Sequence, residues 1–122
     1  MNFREHVNKA IGAHSLWKQR LLTAIEAGNS ELTVDQVAKD NACEFGKWLH
    51  GAAVTAELRN TSDFEACQEL HAAFHKAAAD VLRLAVSGNK SQALAELGGQ
   101  GKFAALSSAL TLRMMKWVAS TR

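Results

Sequence analysis

His14, Cys43, His71 and His75 carry the donor types that a divalent transition metal takes up, three imidazoles and one thiol. Zinc coordinates such groups tetrahedrally, and a full set of protein ligands closes its shell. A closed shell leaves no position for an activated water, so the set points to sensing or structural zinc rather than catalysis. His71 and His75 stand one helical turn apart. On a helix this brings their Cβ atoms to about 5–6 Å on one face, within reach of a single ion. In His71-Ala72-Ala73-Phe74-His75 no glutamate follows the first histidine, so the metalloprotease pattern with its general base is not met. The paired Glu-x-x-His units of a di-iron bundle are missing as well. With few carboxylates near the histidines, a nitrogen-and-sulfur site suits one Zn2+ per chain better than iron or manganese.

Each candidate also has a plainer reading. His14 and His71 fall on apolar stripes, where a lone histidine is ordinarily a hydrogen-bonded core or edge residue. Cys43 alone would be a small buried hydrophobe. The turn-spaced histidine pair and a cysteine at a helix start support each other, because helix-start N–H groups and the dipole favour a thiolate. Cys67 precedes His71 by one turn. It is an alternative ligand, a resolving thiol for an oxidised Cys43 or, as the blander reading, a core filler. His50 suits the carbonyl end of a short helix. His6 lies two turns before His14, at least ~10 Å along the axis and too far for the same ion. Trp17, Trp48 and Trp117 read as core and site walls.

Helices must position these side chains. Proline is absent and alanine and leucine abound, which favours helix. A stripe through Phe3, Val7, Ala10, His14, Trp17, Leu21 and Ala24 predicts one amphipathic helix that Gly28-Asn29 stops. A second stripe through Phe64, Cys67, His71, Phe74, Ala78, Val81 and Ala85 predicts another. Ser62 and Glu65 are spaced as its capping box, and Gly88-Asn89 follows its end. From Ser91 to Ser120, an inner face of Leu94, Leu97, Phe103, Leu106, Leu110, Met114 and Trp117 predicts a third helical stretch. Gly98, Gly99 and Gly101 would kink it or delay its start to Gly101. Ala42 to Leu49 predicts a short helix with Asn41 as N-cap, Glu44 in its first turn and Gly51 beyond its end. Gly46 would let this helix approach its neighbours, with Phe45 and Trp48 packing around the site. Ser30 to Asn41 has no clear assignment beyond room for a further helical turn. The elements fit an antiparallel helical bundle.

The composition bounds the rest. With 122 residues and 48% hydrophobic content, one domain would bury roughly 68% of its unfolded surface and would not need a metal merely to fold. A net charge of +2 with interspersed acids argues against a nucleic-acid partner. Met1 to Ala10 lacks the apolar run of a signal peptide, and nothing approaches the ~20 apolar residues of a spanning helix. The expectation is a cytoplasmic protein without membrane insertion. Two cysteines are too few for a secreted disulfide scaffold.

These residues resemble the chemoreceptor zinc-binding (CZB) domain of bacterial signalling proteins. His14-Ser15-Leu16-Trp17 matches its first block, a histidine followed by an aromatic. Cys43-Glu44-Phe45-Gly46-Lys47-Trp48 matches its Cys-x-apolar-Gly-x-aromatic block, and His71 with His75 matches its third. The resemblance implies a cytosolic four-helix bundle with a three-histidine, one-cysteine zinc site. Such domains are usually attached to chemotaxis receptors or diguanylate cyclases and sense zinc or oxidants such as hypochlorous acid through the cysteine. The 122 residues hold the bundle without an output domain, as a free-standing member or an excised fragment.

The combined expectation is an all-α fold over residues 1–122 as a single domain. It is an antiparallel four-helix bundle with an additional short helix carrying the cysteine ligand. Its metal ligands would be His14, Cys43, His71 and His75, with Cys43 the redox switch and Trp17, Phe45, Gly46 and Trp48 packing the site. A non-enzymatic sensor is favoured, as a homodimer by analogy with related bundles. The alternative is an interaction or dimerisation module with purely structural zinc.

Overall fold

The apolar stripe that begins at Phe3 winds into two helices rather than one, α1 (Phe3–Ser15) and α2 (Trp17–Ala27). The computed structural model describes residues 2–41, 43–52, 54–98 and 101–120; the expected helix start at Ala42, Gly99 and Met1 lie outside them. The break has a local cause. The Ser15 hydroxyl donates to the Gly12 carbonyl, and the Leu16 N–H turns to Ala13 in a tighter step. The stripe is not interrupted: Val7, Ala10, His14, Trp17, Leu21 and Ala24 are all buried. Gly28 ends α2 with φ +74, a left-handed conformation that glycine adopts without a Cβ penalty.

The unassigned connection contains α3 (Val34–Ala38), closed at its start by a reciprocal capping box between Thr33 and Gln36. Then come α4 (Glu44–Leu49) and α5 (Ala56–Arg59). Cys43, not Asn41, is the N-cap of α4. The longest helix is α6 (Ser62–Val86), and its cap is Thr61 rather than Ser62, through the Phe64 N–H donated to the Thr61 hydroxyl. Gly88, at φ +85, lets the Asn89 N–H reach the Leu84 carbonyl and close the C-terminus. The last stretch divides at its glycines into α7 (Lys90–Leu97) and α8 (Lys102–Ser120). A Cβ at Gly101 would collide with the Glu96 carbonyl, so only glycine fits where the chain leaves α7. Leu94 is 40% exposed, and Ala93 takes the inward place beside Leu97 instead.

All regular structure among the described residues is helical. The central element is α6, packed against α2, α3, α7 and α8. Its direction relative to the others follows from side-chain pairs. Near its start, Phe64 meets Trp117 and Asp63 takes the Ser120 hydroxyl; farther along, Phe74 meets Phe103. Helix α8 therefore runs antiparallel to α6. Phe3 also packs on Trp117, at 4.8 Å between ring centres, while Trp17 lies against His75. The α1–α2 pair therefore runs alongside α6 in the same direction.

Residues 28–61 form the crossover that this arrangement requires. It descends along α6: Val37 of α3 stands at His75, Cys43 at His71, and Arg59 of α5 over the Phe64 ring. The crossover is what delivers the cysteine to the histidines. Trp117, Phe74, Phe103, Leu82 and Leu110 are fully buried side chains, each contributing about 1.5–3 kcal/mol of apolar transfer.

Candidate metal centre

His14 reaches the centre from the last turn of α1, and His71 and His75 from the inward face of α6. Cys43 enters from the N-cap of α4, its sulfur accepting the Gly46 N–H at 3.3 Å. The donor atoms of all four residues lie within 4.8 Å of one another, with the histidines buried and Cys43 half-buried. His71 Nε2 is the hub, 3.1 Å from His14 Nε2, 3.1 Å from His75 Nε2 and 3.4 Å from Cys43 Sγ. The sulfur stands 3.7 Å from His75 Nε2. Metal–nitrogen bonds of about 2.0–2.1 Å and a metal–sulfur bond of about 2.3 Å give tetrahedral edges of about 3.3 and 3.6 Å. Four of the six separations are close to those edges, and the two that join His14 to Cys43 and His75 stay within 4.8 Å.

The outer nitrogens determine what the inner ones present. His14 Nδ1 lies 2.8 Å from the Ala10 carbonyl, and His75 Nδ1 lies 3.0 Å from the Val37 carbonyl. A carbonyl only accepts, so each Nδ1 carries the proton and each Nε2 directs a lone pair inward. His71 Nδ1 is buried without a hydrogen-bond partner among the described residues. Lone pairs converging in a buried space repel unless a cation or shared protons lie between them. The donor set and its edges fit zinc.

Protonation is opposed here. Burial pulls His14 down to about 4, against the raising effect of the Ala10 carbonyl. Burial, reinforced by His75, His14 and His50, takes His71 to about 2. Burial also lowers His75, against the Val37 carbonyl. The imidazoles are therefore neutral donors at neutral pH. The Cys43 thiol is pushed up, because burial outweighs the N–H groups of Gly46, Phe45 and Cys43 itself. The expectation that the helix start favours a thiolate thus gives the direction of one contribution, and desolvation exceeds it.

Aromatic rings wall the cluster. Phe45 lies edge-on to His71 and His14 at 5.1 and 5.8 Å, and Trp17 edge-on to His75 at 5.8 Å. Phe74 contacts His14 and His75 and belongs to the same wall, although its place on the core stripe gives no sign of it. Trp48 stacks on Phe45 and His6, one layer farther out. Gly46 permits close approach, but to the Asp40 carbonyl in the preceding loop rather than to a long helix. Cys67 is fully buried and its thiol is pushed up to about 12 by burial. It does not join the cluster. The His50 ring pairs with Asp40 at 3.6 Å.

Fold and cluster together define a helical domain with a three-histidine, one-cysteine centre able to hold a metal ion. The profile of the chemoreceptor zinc-binding domain family matches residues 14–82, more than half of the chain and a span that contains all four donors. The chain belongs to this family of zinc-binding signalling domains. No curated protein and no solved structure matches it. No helix among the described residues is long and apolar enough to cross a membrane.

Proposed function

We propose that this chain is a regulatory sensor domain that binds one zinc ion through His14, Cys43, His71 and His75 and responds to zinc or oxidant through Cys43. The observation that carries the reading is the convergence of three imidazoles and one sulfur, all within 4.8 Å of one another and four of the six pairs at 3.1–3.7 Å. Bound zinc would supply a Lewis-acidic centre that holds Cys43 as thiolate. The protein's own part is orientation: the Ala10 and Val37 carbonyls fix the tautomers of His14 and His75, and the Gly46 N–H steadies the sulfur. Four protein donors leave a tetrahedral ion no place for an activated water, so the role is non-enzymatic.

Three separate segments meet at the centre, α1, the start of α4 and α6. A two-electron oxidant such as hydrogen peroxide transfers oxygen to the Cys43 sulfur, giving a sulfenic acid and water. The oxidised sulfur is a poorer ligand, and α4 loses its tie to α6. Apparent zinc affinities in finger peptides of ~10–16 kcal/mol rival a domain stability of ~5–15 kcal/mol. The core centred on α6 and α8 does not pass through the ion, so release is local and α4 is the element that signals.

This reading places residues 1–122 as a single domain of cytoplasmic signalling, acting as a homodimer with a chemoreceptor or diguanylate cyclase as output partner. Native mass spectrometry with and without a chelator tests it, the expected result being one zinc per chain lost on chelation. Retained helicity with faster amide exchange confined to α4 supports sensing. Global cooperative unfolding on zinc removal would instead make the ion a brace of an interaction module.

A further inference from the structure

A cavity of about 570 Å³ opens beside the candidate metal centre, bounded by α1, α2 and α4. Sites for small organic molecules run from about 300 to 1,000 Å³, so the volume suits one such ligand. Its composition is two-sided. Trp17, Phe45 and Trp48 form apolar walls, and Leu16 stands at the lining with 58% of its surface exposed. Lys9, Arg20 and Lys47 supply three cations against the single carboxylate of Glu44. The local excess of positive charge therefore equals the formal +2 of the whole chain. The Arg20 guanidinium sits 5.2 Å over the Trp17 ring, which holds that charge against the aromatic wall. The lining also includes Cys43 and His14, two of the four donors of the cluster.

We propose that this cavity binds a small organic carboxylate with an apolar body, and that the bound molecule covers the Cys43 sulfur. The walls take the apolar body and the lysines and arginine take the carboxylate. A second copy of the chain is a poor occupant, because a symmetric contact would set one cationic lining against the other. Any influence on metal exchange rests on the zinc reading above; binding and the covering of Cys43 do not. A ligand that shields the sulfur in the loaded state would make oxidant response depend on carboxylate supply.

The test uses phenylacetate and its neutral analogue phenylacetamide, titrated calorimetrically into the zinc-treated and the chelator-treated protein. Phenylacetate should bind saturably and at least about tenfold tighter than the amide. The exposed triple variant K9Q/R20Q/K47Q should lose most of that preference. Saturating phenylacetate should slow alkylation of Cys43 by iodoacetamide several-fold in the metal-free protein, where buried Cys67 stays unreactive. Absence of saturable binding, equal affinity for acid and amide, or unprotected Cys43 at saturation would overturn the proposal. The acid–amide contrast is read on the unaltered protein, so misfolding of the variant does not rescue it. Binding and protection in a protein that takes up no zinc would uphold the cavity and sink the metal reading.

Discussion

His71 Nε2 lies 3.1 Å from His14 Nε2, joining the middle of α6 to the last turn of α1 through two buried rings. Since His14 gives its other nitrogen to the Ala10 carbonyl, the contact sets an inward lone pair against the hub of the cluster. Filling the centre relieves this. Zinc at a thousandfold excess over its dissociation constant should add about 4 kcal/mol of stability. For a chain of this size, that raises Tm by about 10 °C or more. Differential scanning calorimetry with and without a chelator reads it. His71→Ala should abolish most of the zinc-dependent rise, and an unchanged increment in that variant would remove His71 from the ligand set.

Metal uptake should release a proton. The imidazoles are already neutral at pH 7, with His14 at about 4 and His71 at about 2, whereas burial raises the Cys43 thiol above its ordinary value. Zinc needs the thiolate, so below that raised value each pH unit should strengthen binding about tenfold. Zinc titrations in buffers of different ionisation enthalpy should give close to one proton released per ion. Cys43→Ala should release none, bind zinc more weakly and no longer eject it on treatment with peroxide.

The metal-free protein should be acid-labile in a defined window. All three cluster histidines titrate lower folded than unfolded, chiefly through burial. Their stabilising contribution is complete above the unfolded value of about 6.5 and falls away as pH drops toward the folded values. Within the window stability should fall with pH, because the unfolded chain takes up protons that the buried rings refuse. Urea midpoints of chelated protein at pH 7.5 and pH 5 should therefore differ clearly, the lower pH being the weaker. Equal midpoints would mean that the rings titrate in the folded protein as they do in the unfolded chain.

Much of this centre is legible in the residues because its histidines and cysteine sit on segments with strong periodic signals. Val7, His14 and Trp17 on one stripe, and Cys67, His71 and Phe74 on another, are buried as their spacing implies. The break at Leu16 is not legible, since it depends on one serine hydroxyl competing for the Gly12 carbonyl. Helix α3 is too short to show a period; its signal is the Thr33–Gln36 capping box. The outer partners of His14 and His75 are the carbonyls of Ala10 and Val37. Any residue type supplies a carbonyl, so only the fold can place them. The parallel course of α1–α2 and α6 follows from pairs such as Trp17 with His75, which helical periodicity does not specify.

Gly46 offers a test that separates position from chemistry, because it donates no side-chain ligand. A Cβ there would fall on the carbonyl oxygen of Asp40, a backbone atom that cannot swing aside. Gly46 also gives its N–H to the Cys43 sulfur from within the first turn of α4. Gly46→Ala should displace the start of α4, costing about 1–3 kcal/mol as overpacking and moving the sulfur off the histidine cluster. The two longest helices, α6 and α8, pack on each other in a way that does not depend on α4, so far-ultraviolet circular dichroism should stay close to the parent. Zinc affinity should fall by at least about tenfold, a loss of about 1.4 kcal/mol. Gly12→Ala is the matched control, since its added Cβ meets nothing within 4 Å among the described residues, and its zinc affinity should be unchanged. Equal zinc affinities in the two variants would mean that the placement of α4 does not govern the centre.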